Sequence, residues 1–118
     1  MIRNFASLEI WKQSRALVKG IYVITDRLPE KEKYGLSSQM RRAAVSVPSN
    51  IAEGCGRNHE KDLIRFLYIA TGSLCELETQ LYLLTDLEYV DEASIENELR
   101  QTVLIRKMIH SFIKSFQK

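Results

Sequence analysis

Leu63, Leu67, Ala70, Leu74, Leu77, Leu81 and Leu84 return at alternating steps of four and three, and that spacing puts all of them on one side of an α-helix. A helix with such a stripe has to bury it, and the chain supplies three more helices to bury it against. Ile10, Ser14, Leu17, Ile21, Ile24 and Leu28 repeat with the same rhythm, and Trp11, Val18 and Tyr22 widen that stripe. Leu36, Met40, Ala43, Val47 and Ile51 form a second series, and Ile95, Leu99, Thr102, Ile105, Ile109, Phe112 and Phe116 a fourth. No strand-like alternation, internal repeat or low-complexity segment competes with them. Short connections make successive helices antiparallel, so the pattern predicts an all-α, up-and-down four-helix bundle, a single domain over residues 1–118.

The punctuation agrees with this division. Ser7 is the expected N-cap of the first helix, Pro29 ends it, and Gly35 allows the turn into the second. Gly54, Cys55 and Gly56 stop the second helix, Asn58 starts the third, and Asp91 caps the fourth. Pro48 falls inside the second helix, where it removes one hydrogen bond and costs about 3 kcal/mol. A proline-kinked second helix, or one that restarts near Ser46 and Val47, is therefore expected.

From Tyr34 to Gly54 the chain carries only three charges, Arg41, Arg42 and Glu53, although 27% of all its residues are charged. The gaps between the apolar positions hold Ser38, Ala44, Ser46, Ser49 and Ala52. A helix without a solvated face meets protein on more than one side. A short chain has few other elements to provide that cover, which predicts self-association, with Ala44 and Ser46 on the contact face. Ala70, Gly72 and Ser73 likewise let a neighbouring helix come close to the third.

No apolar run approaches the ~18 residues of a membrane span, and Met1–Asn4 leads into a helix rather than a signal-peptide core, so a cytoplasmic protein without a membrane partner is expected. Cys55 and Cys75 have no CxxC spacing, which favours neither a disulfide framework nor a zinc site. Cys75 is expected inside the bundle. His59 and His110 stand alone, Ser46, Ser49 and Ser73 lack a nucleophile elbow, and no phosphate loop follows a strand. Glu76 and Glu78 are two apart and point away from each other on a helix, so they do not clasp one metal ion. The expectation is a non-enzymatic protein with no catalytic residue, metal or cofactor.

Charge is unevenly spread. Residues 1–58 carry a net charge of +5 and residues 59–118 a net charge of −3. No Lys or Arg occurs from Phe66 to Leu99, and no acid from Arg100 to Lys118. In an up-and-down bundle the acidic turn between the third and fourth helices lies at one pole. The other pole gathers Arg3, Arg57, Lys61, Arg65, Lys114 and Lys118, of which the last five form a candidate nucleic-acid site. Helix-dipole compensation explains the fourth helix equally well, but not Asp86 and Glu88 at the negative end of the third. Arg41, Arg42, Asn50, Glu53, Glu76 and Glu78 are expected to form a structural polar network across the bundle or a subunit boundary rather than an acid–base site. Trp11, Tyr22, Tyr68 and Tyr82 have the spacing of core or interface residues, and an exposed aromatic face that stacks nucleotides is the alternative.

The run YGLSSQMRRAAVSVPSNIAEGCGR, followed by FLYIATGSLCELETQL from Phe66 to Leu81, resembles the four-helix-bundle family of 23S rRNA-intervening sequence proteins. The likeness extends from about Leu8 to about Val90, and the last helix shares only its amphipathic character. It implies an up-and-down bundle that assembles as a ring-like homopentamer and is encoded in some bacteria within insertions in ribosomal RNA genes. A more distant resemblance, in size and architecture, is to the accessory proteins of diversity-generating retroelements, which are pentameric, basic and bind nucleic acid and a reverse transcriptase. Two function classes follow: a homo-oligomer that binds RNA or DNA through its basic poles, or a protein-interaction scaffold that recruits a protein partner without nucleic acid.

Overall fold

The computed structural model describes residues 4–117. Four helices follow one another, α1 (Glu9–Thr25), α2 (Leu36–Cys55), α3 (Glu60–Asp86) and α4 (Glu92–Lys114), with 3₁₀ turns at Phe5–Ser7 and Glu30–Glu32 and no strand among the described residues. Each helix packs on the next, and α4 closes the square against α1, whereas the diagonal pairs stay apart. The body measures 45 × 23 × 20 Å. Its long axis matches the ~40 Å of a 27-residue helix.

All seven residues of the α3 stripe are fully buried. Ile10, Ser14, Leu17, Ile21 and Ile24 of α1 are buried as well, as are Met40, Ala43, Val47 and Ile51 of α2, while Leu28 and Leu36 at the helix ends are half-buried. Each large aliphatic side chain so enclosed contributes about 1.5–3 kcal/mol. In α4 the stripe departs from expectation at its end. Ile95, Thr102, Ile105 and Ile109 are buried, but Leu99, Phe112 and Phe116 are only half-buried, and Ile113 takes the last core position. A step of four from Ile109 reaches the core, whereas the step of three puts Phe112 at its edge, edge-to-face with Phe116 at 5.1 Å.

The α2–α3 contact is the most extensive, and small residues make it close. A methyl group at Gly54 would lie 3.0 Å from Cβ of Phe66 and 3.2 Å from the Leu63 carbonyl oxygen. Ala44, expected on a subunit face, is instead completely buried within the chain. Cys75 is also displaced from expectation: it is exposed and Cys55 is buried, with burial pushing the Cys55 thiol up. One residue beyond Leu74 is a turn of about 100°, which carries Cys75 away from the core.

Helix ends follow local hydrogen bonding more closely than the stripes do. Ser7 is not a cap. Its hydroxyl donates to the Asn4 carbonyl at 2.8 Å, and α1 begins at Glu9 after Leu8 with no side-chain cap. Asn58 is likewise passed over, and α3 begins after His59. Asp91 does cap α4, accepting from the Ser94 hydroxyl at 2.7 Å and the Ser94 amide at 3.0 Å, and these bonds hold its carboxyl below the usual range. Of the kink or restart expected at Pro48, the restart does not occur: α2 runs without interruption from Leu36 to Cys55 with Pro48 inside it. The missing amide simply leaves the Ala44 carbonyl without its helical donor. At the end of α3, Glu88 adopts a left-handed φ of 62°, with the Glu88 amide donating to Thr85 at 3.0 Å and the Tyr89 amide to Leu84 at 2.9 Å. This is the Schellman geometry that glycine favours. Among the described residues no helix is long and apolar enough to cross a membrane.

Candidate nucleic-acid interface

The end of α2, the start of α3 and the end of α4 share one pole of the bundle, and the candidate cations sit there. Arg57 follows α2, Lys61 and Arg65 lie in the first two turns of α3, and Lys114 is the last residue of α4. Arg3 and Lys118 lie outside the described residues. The two arginines converge on one ring: the guanidinium carbons of Arg57 and Arg65 stand 4.9 and 4.5 Å from the Phe66 centroid. A guanidinium stacked on an aromatic face keeps N–H groups free at its edge, which suits it to phosphate.

Acids temper this pole. Arg57 pairs with Glu53 at 2.8 Å and Arg65 reaches Asp62 at 3.9 Å. Both pairs are largely exposed, with side chains 40–59% accessible, and such pairs hold their partners by less than about 1 kcal/mol. Lys61 and Lys114 make no ion pair among the described residues. A shallow groove of about 560 Å³ runs along α3, lined by Lys61, Asp62, Ile64, Arg65, Tyr68 and Ile69.

The anticipated polar network is divided into separate contacts. Arg41 reaches the end of α1, where Nε donates to Thr25 Oγ1 at 2.8 Å, Nη2 to Asp26 at 2.6 Å, and the guanidinium covers the Tyr22 ring at 4.7 Å. Arg42 is exposed and meets only Ser38, at 3.5 Å. Asn50 donates to the Ser46 carbonyl and hydroxyl at 2.8 and 2.9 Å, and Ser46 shares a hydrogen bond of 2.9 Å with Ser73 of α3. Ser46 thus serves the α2–α3 contact inside one chain. Glu53 turns to Arg57, and Glu78 crosses to α4, where it accepts from Arg106 at 2.9 Å. Glu76 points the other way and lines a polar groove of about 440 Å³ with Gln39, Arg42, Ser46 and Ser73.

Phe66, Asp26 and Arg106 were not singled out by the sequence pattern. Arg106 carried a signal, since it lies four residues after Thr102 and three before Ile109 and so flanks the α4 stripe. Phe66 and Asp26 had none, because Arg57 reaches Phe66 from the loop before α3 and Arg41 reaches Asp26 from α2. Among the described residues no group of three or more His, Cys, Asp or Glu is placed to hold a metal ion.

Two further surfaces are uncovered. The outer face of α2 exposes Gln39, Arg42, Val45 and Ser49. Between α3 and α4, Tyr82, Leu99, Val103 and Leu104 line a mainly apolar groove of about 550 Å³ flanked by Arg100 and Lys107. A smaller groove with Ile95 and Thr85 continues from it through Tyr82 and Leu99.

No curated protein matches the chain. A solved structure from Bacteroides thetaiotaomicron, described as a protein of unknown function from the S23 ribosomal protein family, superposes with a TM-score of 0.83 at 27% identity, over 89% of this chain and 98% of that one. The family model for 23S rRNA-intervening sequence proteins matches residues 6–111, a span that takes in all of α1, α2 and α3 and most of α4. The chain therefore belongs to the 23S rRNA-intervening sequence protein family.

Proposed function

We propose that this protein is a non-enzymatic cytoplasmic homo-oligomer, a pentamer by family resemblance, that binds nucleic acid through the pole formed by Arg57, Lys61, Arg65, Lys114 and Lys118. The observation that carries the reading is the convergence of Arg57 and Arg65 on Phe66 beside Lys61. Assembly is supported by two unlike uncovered surfaces, the outer face of α2 and the apolar α3–α4 groove. Unlike surfaces that pair head to tail generate closed rings when the rotation allows. Repetition matters because each patch is modest: the chain carries only +2, and a ring multiplies weak contacts through avidity. The distant likeness to retroelement accessory proteins is one of architecture and adds no weight.

Titration of RNA and DNA at increasing salt tests the reading. Binding should be tolerant of sequence and fall steeply between about 50 and 200 mM salt. Replacing Lys61, Arg65 and Lys114 together by Gln should weaken it and leave the oligomer intact. Absence of binding at about 50 mM salt would make the second reading, a protein-interaction scaffold, the preferred one. That reading draws on the α3–α4 groove, whose apolar walls suit a protein surface better than a phosphate backbone.

A further inference from the structure

We infer that the groove along the first half of α3 binds single-stranded nucleic acid, with a base stacked on Tyr68 and the adjoining phosphates on Lys61 and Arg65. This rests on the nucleic-acid reading above and names the form of the ligand. Lys61, Arg65 and Tyr68 follow one another at steps of four and three, so they lie on one outward strip of the helix. Lys61 and Tyr68 are about 10 Å apart along the axis, within reach of neighbouring nucleotides of an extended strand. Tyr68 is 49% exposed although it is aromatic, and Ile64 and Ile69 flank it in the groove wall. Among the described residues its hydroxyl makes no hydrogen bond, and Tyr89 is the one tyrosine whose hydroxyl does.

The chemistry distinguishes a single strand from a duplex. A duplex offers this face only phosphates, for which Lys61 and Arg65 suffice and an apolar, aromatic floor is a disadvantage. A single strand offers base faces as well, and each base that stacks on a side chain gains affinity regardless of its identity. Farther along α3, Gly72 is exposed, and a methyl group built there would meet nothing within 4 Å. The strip is therefore open at Gly72, one turn beyond Tyr68. The apolar groove at Tyr82 lies toward the opposite pole, so a strand on Tyr68 and a neighbouring copy in the α3–α4 groove use different halves of the helix.

The test compares labelled oligouridylate and oligothymidylate strands with duplexes of equal length, using the intact oligomer at about 50 mM salt. Single strands should bind more tightly than duplexes. Tyr68→Ala should weaken single-strand binding on the order of tenfold or more, with duplex binding and the slope of log affinity against log salt unchanged. Lys61→Gln should instead reduce that slope, by about 0.7 for each phosphate that is no longer neutralised. Tyr68→Trp should restore affinity, and its added fluorescence should be quenched by a single strand but not by a duplex. Circular dichroism confirms that each variant is folded. If single strands and duplexes bind equally and Tyr68→Ala changes neither, this inference is overturned and the basic pole stands. If neither ligand binds, the nucleic-acid reading itself fails, and this inference with it.

Discussion

The Tyr89 hydroxyl donates to one carboxylate oxygen of Glu32 at 2.7 Å, tying the loop after α3 to the loop after α1. The other oxygen accepts the Leu36 amide at 3.0 Å, so a single carboxylate both caps α2, where Gly35 has no side chain to do so, and joins two loops at the acidic pole. The Leu36 amide and then Tyr89 hold the Glu32 carboxyl below its ordinary value, and the same contact raises the Tyr89 hydroxyl above its own.

Acid should loosen this pole first. A carboxyl whose folded pKa is depressed stabilises the fold above its unfolded pKa, and that contribution disappears as pH falls through the folded value. Glu32 and Asp91 both have that sign. The thermal midpoint should therefore drop as pH falls from the ordinary carboxylate range through the lower folded values of these two groups. In Glu32→Gln the midpoint should be lower near neutrality and the acid slope shallower, and equal slopes in the two proteins would refute the assignment.

Glu88 occupies a left-handed position, with φ 62°, that favours glycine. Glu88→Gly also removes a negative charge from the negative end of α3 and should stabilise the protein by about 1 kcal/mol in urea unfolding. Gly54→Ala should do the reverse, costing about 1–3 kcal/mol, because the added carbon meets Phe66 and Leu63 backbone at close range.

Among the described residues Glu78 and Arg106 form the ion pair least open to solvent, with side chains 26% and 30% exposed. Glu78→Ala leaves Arg106 without its carboxylate partner, and Arg106 Nε already has no hydrogen-bond partner among the described residues. The expected loss is about 1–2 kcal/mol, against less than about 1 kcal/mol for Glu53→Ala at the exposed Arg57 pair. A double-mutant cycle on each pair measures the difference.

Assembly and folding should separate at Leu104 and Ala44. Leu104 is 48% exposed in the α3–α4 groove, whereas Ala44 is fully buried in the chain. A pentamer of the 13.7 kDa chain scatters light as a species of about 68 kDa. Leu104→Glu should shift it toward monomer with helical circular dichroism retained. Ala44→Glu should lose the helical signal itself, since a charge there is buried without a partner. A monomeric parent protein at micromolar concentration would remove the oligomer from the proposal.

The candidate site was legible in part. The cations at one pole follow from helix order and direction, which are readable from stripes and turns. Phe66 as the ring on which Arg57 and Arg65 meet was not readable, because Arg57 comes from the loop and Phe66 from the helix after it. Tyr68 was visible as an aromatic of either the core or an outer face, and its exposure removes it from the core of its own chain. Ala44 shows the opposite failure: a lack of charge points to a neighbouring subunit, yet Ala44 is fully buried among helices of its own chain, whereas Ser46 is part-buried, bonded to Ser73 and lines a surface groove.

The helical period of the backbone is a local property, so the sequence alone determined the four helices, their up-and-down order and all of the buried stripes but the end and one middle position of that on α4: Leu63 to Leu84 lie on one line whatever surrounds them. Which polar group meets which depends on the level at which turns of different helices stand, and that is decided by helix length, loop geometry and the closeness that residues such as Gly54 permit. Only the tertiary structure therefore paired Arg41 with Asp26, Glu78 with Arg106 and Tyr89 with Glu32, because side chains 15, 28 and 57 positions apart are brought together by packing and by no pattern in the chain.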